Sequence, residues 1–292
     1  MSFPLRWLAG RSLSHLHALG TALGWLAWAL SPSYRRRLAE NAAVAGIGAD
    51  ARRASVAEAG RLVTELPRLW LRPAGQPVAD PVRWEGADLL ERWLDQGRGL
   101  VLLTPHIGSF EMAAQAYAER FGARQPLTVL YRPARQPWLR ELEETARARP
   151  HLATAPATLA GVRQMMRALR RGESVGLLPD QVPPQGLGVW APFFGRPAYT
   201  MTLAPRLVQQ TGAAVGILWC ERQPRGAGYV VRAEELAVPL PPRAEGQDEE
   251  AAMVAAATAI NRSMEALIRR LPSQYLWGYH RYKAPRALEG GA

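Results

Sequence analysis

From Val82 onward the chain alternates short apolar runs with segments of helical spacing, and this alternation constrains its architecture more than any other feature. Residues 99–104, 127–131, 174–179, 214–220 and 228–233 are apolar runs of strand length. Residues 110–120, 138–149, 159–171, 202–210 and 249–270 carry the periodicity of helices. Such an order predicts an α/β domain over residues 82–283, with a mixed or largely parallel sheet flanked by helices. With 48% hydrophobic residues in 292, the chain can bury a full core. No internal repeat or long low-complexity tract interrupts it.

The segment before this domain has a different character. Residues 13–30 are the most apolar stretch, broken by His15, His17 and Thr21 and carrying Trp25 and Trp28. A spanning helix needs about 20 mostly apolar residues, so the segment stands between a short anchor and a helix lying in the interface. Ala27-Trp28-Ala29 has the form of a signal-peptidase site. Arg35-Arg36-Arg37 follows at once, and clustered positive charge resists export. The expectation is an uncleaved N-terminal membrane anchor over residues 1–33, with the body on the cytoplasmic side. Gly20 and Gly24 have the spacing of small residues that pair helices, a weak signal in an apolar segment.

Two helices are expected behind the anchor, over residues 34–46 and 50–71, divided by Gly46 and Gly48. Val56, Ala59, Leu62, Val63, Leu66 and Trp70 recur at helical spacing, a stripe that would pack on the main domain. Residues 72–81, with three prolines and a glycine, read as a linker. The organisation expected is an anchor (1–33), a helical segment and linker (34–81), the α/β domain (82–283) and a tail (284–292).

The formal charge is +11, and all the basic residues are arginines except Lys283. Such a surface attracts anions, among them phospholipid headgroups, acidic carrier proteins and nucleic acid. No nucleic-acid-binding motif is recognisable, and the apolar N-terminus is out of character for such a module. The single cysteine, Cys220, excludes an internal disulfide and lies in an apolar run, which favours a buried, inert thiol. The histidines other than His106 are scattered, and no third ligand stands at a recognisable spacing, so no metal site and no cofactor are expected.

Chemistry concentrates in Leu102-Leu103-Thr104-Pro105-His106-Ile107-Gly108-Ser109-Phe110-Glu111. A strand delivers His106 to its end, and Glu111 follows as a helix begins. An imidazole that titrates near neutrality, with a carboxylate on its far nitrogen, can take a proton from a hydroxyl. A histidine capping the helix, with Glu111 at its dipole, explains the same spacing. Arg132 and Asp180 each follow the end of a predicted strand, where ligands of open α/β sheets bind. An ordinary ion pair for Arg132 and a turn for Asp180 are the alternatives. Gly172-Glu173-Ser174-Val175-Gly176 matches the nucleophile-elbow pattern of serine hydrolases. An elbow needs a strand entering and a helix leaving, whereas here a helix enters and a strand leaves, so Ser174 reads as a strand-start residue.

Five blocks carry a resemblance: His106 to Glu111, Tyr131-Arg132-Pro133, Leu178-Pro179-Asp180-Gln181, Pro192-Phe193-Phe194-Gly195-Arg196-Pro197, and Gln274-Tyr275-Leu276-Trp277-Gly278-Tyr279-His280-Arg281-Tyr282-Lys283. Together they resemble the bacterial lipid A biosynthesis acyltransferases, a branch of the lysophospholipid acyltransferase superfamily. The resemblance implies transfer of an acyl chain from a thioester, usually on acyl carrier protein, to a hydroxyl of a membrane lipid precursor at the inner membrane. In that setting His106 is the general base and Glu111 its orienting acid. Arg132, Asp180 and Arg196 are the substrate-binding candidates, Arg196 toward an acceptor phosphate. Another lysolipid or aminolipid as acceptor is the main alternative; a lipid hydrolase fails on the elbow context.

Overall fold

The computed structural model of the chain describes residues 3–73, 75–132, 136, 149–242 and 246–287. The described strands are β1 (Val82–Glu85), β2 (Leu100–Leu103), β3 (Leu127–Tyr131), β4 (Leu152–Pro156), β5 (Ser174–Leu177), β6 (Gly188–Phe193), β7 (Arg196–Met201), β8 (Ala214–Arg222) and β9 (Tyr229–Glu234). The described helices are α1 (Phe3–Ala9), α2 (Leu13–Leu30), α3 (Pro32–Val44), α4 (Ala49–Trp70), α5 (Ala87–Asp95), α6 (Phe110–Phe121), α7 (Leu159–Arg170), α8 (Leu203–Thr211) and α9 (Glu249–Arg270).

Seven strands form one sheet in the order β1-β9-β8-β2-β5-β3-β4, and β6 and β7 form a separate hairpin. The block from β8 to β4 is parallel throughout, while β9 runs antiparallel to β8 and β1 follows β9. The sheet is therefore mixed and largely parallel. Strand β2 reads as an unbroken apolar run because both of its faces are covered. Leu100 and Leu102 face a core shared with Leu90, Trp93, Met112 and Tyr117 of α5 and α6. Val101 and Leu103 face the opposite core with Met165, Leu207, Ile260 and Met264 of α7, α8 and α9. The expected helix at residues 138–149 falls almost wholly on residues 137–148, outside the described ones.

Helices of the N-terminal half complete both cores. Leu38, Ala42 and Val56 join one, and Leu13 and Leu69 join the other. The expected stripe on α4 is only partly the buried one: Val63 is 63% exposed, whereas Thr64 and Glu65 are buried. Helix α2 packs on α4 through glycines. A Cβ on Gly60 would stand 1.9 Å from the Gly20 carbonyl oxygen, and one on Gly24 would stand 2.3 Å from that of Val56. The Gly20–Gly24 pair thus serves helix packing within the chain.

The anchor expectation changes accordingly. Leu13, Leu16 and His17 of α2 are buried against the body, while Leu19, Leu23, Trp25, Leu26 and Leu30 are exposed on its outer side. Among the described residues no helix is long and apolar enough to cross a membrane. One side of α2 is committed to protein contacts, including the polar imidazole of His17, which a lipid-surrounded span would not accommodate.

Candidate active site

Strands β2 and β5 pair in parallel with Leu103 opposite Leu177, and the Thr104 amide extends the ladder to the Leu177 carbonyl at 3.1 Å. Each chain then overhangs its strand by the same three residues, which brings His106 and Asp180 together at the carboxyl edge of the sheet. His106 Nδ1 lies 2.7 Å from Asp180 Oδ1, and the His106 backbone amide donates to Oδ2 at 2.9 Å. The carboxylate side chain is 2% exposed and the imidazole 18%. Burial by itself would raise the Asp180 pKa, but the charge and hydrogen bonds of His106, with the charge of Arg281, hold it below the usual value. An ionised carboxylate on Nδ1 demands a proton there, so in the neutral imidazole Nε2 carries the lone pair. The Gln181 carboxamide lies 2.9 Å from Nε2 and must donate to it.

The loop after His106 is held by distant segments. Gly108 donates its amide to the Gln274 carbonyl at 3.0 Å, Ser109 donates to that of Cys220 at 2.9 Å, and Leu276 donates to the His106 carbonyl at 3.1 Å. Gly108 has φ +55°, and a Cβ there would stand 1.9 Å from the Cys220 oxygen, so the loop can lie against β8 only with glycine at this position. Ile107 gives its amide to Pro105 at 2.7 Å. The three amides following the histidine are all engaged, and none is left to receive a developing oxyanion.

The other residues singled out in the sequence separate into different environments. Glu111 lies in the first turn of α6, where Trp70 Nε1 donates to its carboxylate at 3.4 Å. The position on Nδ1 that the sequence reading assigns to Glu111 is filled by Asp180. Arg132 follows β3 and is exposed. Arg196 opens β7 with its guanidinium 4.7 Å over the Tyr282 ring, and no hydrogen bond or ion pair joins it to His106. Ser174 begins β5, fully buried, with its Oγ bonded to Tyr117 Oη at 2.7 Å and receiving Gln125 Nε2 at 2.8 Å. Cys220 is free and buried, and burial pushes its thiol well up. Among the described residues no group of three or more His, Cys, Asp or Glu side chains could hold a metal ion.

Sequence reasoning missed an ionic cluster behind the loop. Arg222, at the end of β8, donates to Glu65 at 2.8 and 2.9 Å, to Glu58 at 2.8 Å and to the Gly108 carbonyl at 3.0 Å. His17 of α2 and the Tyr229 hydroxyl each reach Glu65 at 3.2 Å. Burial would raise the Glu65 pKa, but the charge and hydrogen bonds of Arg222, with the bond to His17, lower it to about 2. Glu58 and Glu65 stand seven apart, two turns on one helix face, which was the available signal. Gln274 completes the clamp, exchanging side-chain hydrogen bonds with the Arg222 backbone at 3.0 and 2.8 Å. The terminal aromatic-basic block is also structural in part: Asn41 Nδ2 donates to the carbonyls of Trp277 and Tyr279, both at 2.6 Å. The Tyr279 hydroxyl accepts the Val182 amide at 2.9 Å, beside Asp180 and Gln181.

Fold and site together define an α/β protein with a partly exposed histidine, held by a buried carboxylate, at the carboxyl edge of a mixed sheet. The chain belongs to the bacterial lipid A biosynthesis acyltransferase family, whose sequence profile matches residues 6–284. It is 29% identical to the lipid A biosynthesis lauroyltransferase of Escherichia coli K12 over 189 residues, 64% of this chain and 57% of that protein. It is 27% identical over 225 residues to the E. coli palmitoleoyltransferase of the same pathway and to a Shigella flexneri lipid A biosynthesis acyltransferase, 77% of this chain and 68% of each relative.

Proposed function

We propose that this protein moves a fatty acyl chain from an acyl carrier protein thioester to a hydroxyl of a lipid A precursor, at the cytoplasmic face of the bacterial inner membrane. The observation that carries the reading is the His106–Asp180 contact at the strand ends, in a chain of this family. His106 Nε2 takes the proton of the acceptor hydroxyl. Asp180 holds the imidazole in the required tautomer and stabilises the imidazolium. The oxygen attacks the thioester carbonyl, the C–S bond breaks, and the imidazolium returns its proton to the leaving thiolate. With the Ile107, Gly108 and Ser109 amides engaged, the exposed guanidinium of Arg132 is the side chain we assign to the oxyanion or to a phosphate. Glu111 acts one step removed, as a negative charge at the start of α6 that also fixes Trp70.

Membrane association is part of the proposal. It is supported by the outward apolar face of α2, fringed by Arg35, whose guanidinium lies 5.4 Å over the Trp28 ring, and by Arg36 and Arg37. In this reading α2 lies in the interface.

The deciding experiment incubates purified protein with lauroyl-acyl carrier protein, with and without a tetraacylated lipid A precursor. Acceptor-dependent transfer that disappears in folded His106→Ala supports the reading. Near-normal transfer by that variant would overturn the mechanism, and transfer only to other lysolipids or aminolipids would replace the acceptor.

A further inference from the structure

A transferase that activates a hydroxyl through a partly exposed histidine faces a competitor present at about 55 M, water. In this structure the competitor's place is taken. Gln181 follows the buttressing Asp180 directly, and its carboxamide nitrogen stands 2.9 Å from His106 Nε2. That is the distance at which an attacking oxygen would stand in order to give up its proton. The segment is anchored on both sides, by the two Asp180 hydrogen bonds before it and by the Val182 amide bonded to Tyr279 Oη at 2.9 Å after it. An amide N–H is far too weak an acid to be deprotonated and cannot attack, so it can hold this place without consuming the donor.

We infer that Gln181 is a stand-in for the acceptor hydroxyl, keeping water off the base until the lipid acceptor displaces it, and so determines that the enzyme transfers rather than hydrolyses. The inference rests on the acyltransferase reading above. The suppressed reaction is fully specified: water gives a proton to Nε2 as its oxygen bonds to the thioester carbon. The C–S bond then breaks, and the imidazolium protonates the thiolate, leaving a free fatty acid and the carrier thiol. The acceptor displaces the carboxamide with binding energy from the rest of its surface, which water lacks.

Release of fatty acid from lauroyl-acyl carrier protein without acceptor, and transfer with a tetraacylated lipid A precursor, are measured on the full chain for the parent, Gln181→Ala, Gln181→Asn, His106→Ala and the His106→Ala/Gln181→Ala double variant. Gln181→Ala should raise the ratio of release to transfer by about tenfold, the factor that one ordinary hydrogen bond represents. Gln181→Asn, one methylene shorter and unable to reach Nε2, should change the ratio in the same direction and serves if the alanine variant does not fold. The double variant should lose the added release, because that release runs through His106. A merely structural role would lower both rates and leave their ratio unchanged; that result in folded protein, with His106→Ala inactive, overturns the inference alone. Activity surviving in His106→Ala would instead overturn the acyltransferase mechanism beneath it.

Discussion

The carboxylates near His106 are not equivalent, and their geometry ranks them. Asp180 holds Nδ1 and the histidine backbone amide at once, so Asp180→Ala removes tautomer control and loop support together. Turnover should fall by about two to four orders of magnitude, the range of a positioned proton-transfer apparatus. Glu111→Gln keeps an acceptor for the Trp70 indole and should cost less than Asp180→Asn; steady-state kinetics of the two variants in parallel test that order. The opposite order would return the orienting role to Glu111. Ser174→Ala should retain activity, since its hydroxyl is enclosed by Tyr117 and Gln125. It should lower stability by about 1–3 kcal/mol, because those partners lose a buried hydrogen bond, measurable by denaturant titration. That His106 and Asp180 follow strand ends and that Ser174 opens a strand was legible in the sequence, because strand ends and element order are local properties. Which acid faces the imidazole was not, because Asp180 reaches it only through the pairing of β2 with β5 across more than seventy residues.

Among the elements, α2 shows how an apolar segment can be read correctly in its boundaries and differently in its role. Its helical extent follows from composition, whereas its docking on α4 depends on three glycines in two separate segments. Adding a side chain at Gly60 forces α2 away from α4, so Gly60→Leu should lower thermal stability and expose the α2 region to protease. Changing the outer face leaves that packing alone. A Leu23→Gln/Leu26→Gln/Leu30→Gln variant should bind anionic phospholipid vesicles more weakly while its unfolding free energy stays within about 0.5 kcal/mol per site, as for other surface changes. Undiminished vesicle binding would place the membrane contact elsewhere on the body. The short strands β1 and β4 and the β6–β7 hairpin escaped sequence reasoning because each is only four to six residues long and partly exposed, too brief to show a period. Their places come from sheet pairing and, at the hairpin, from Phe194 and Gly195 turning with positive φ.

At the scale of the whole molecule, charge acts in two ways. Outside, Arg163, Arg167 and Arg170 are exposed together on α7, within a stretch from Arg132 to Arg171 that holds nine arginines and three glutamates. If this field steers an acidic carrier, raising salt should raise the KM for the carrier-bound donor with little change in kcat, since screening acts within about 8 Å at physiological ionic strength. Arg163→Glu should reproduce the effect, and a pantetheine thioester without carrier should not show it. Inside, Glu65 is ionised down to a pKa of about 2 against an ordinary 4.5, so its contribution to stability is complete above the ordinary value and drains away as pH falls through that window. Arg222→Ala leaves the carboxylates buried without their counter-charge and should cost about 3–5 kcal/mol, seen as a lowered denaturation midpoint at neutral pH. The loop that carries His106 is tied to this interior: its amides at positions 106, 108 and 109 end on Asp180, Gln274 and Cys220, far apart in the chain. No fraying of one neighbour frees all three. Their hydrogens should exchange with deuterated solvent only when the whole domain opens, at rates matching the central strands, so His106 is presented by some of the slowest-exchanging backbone among the described residues.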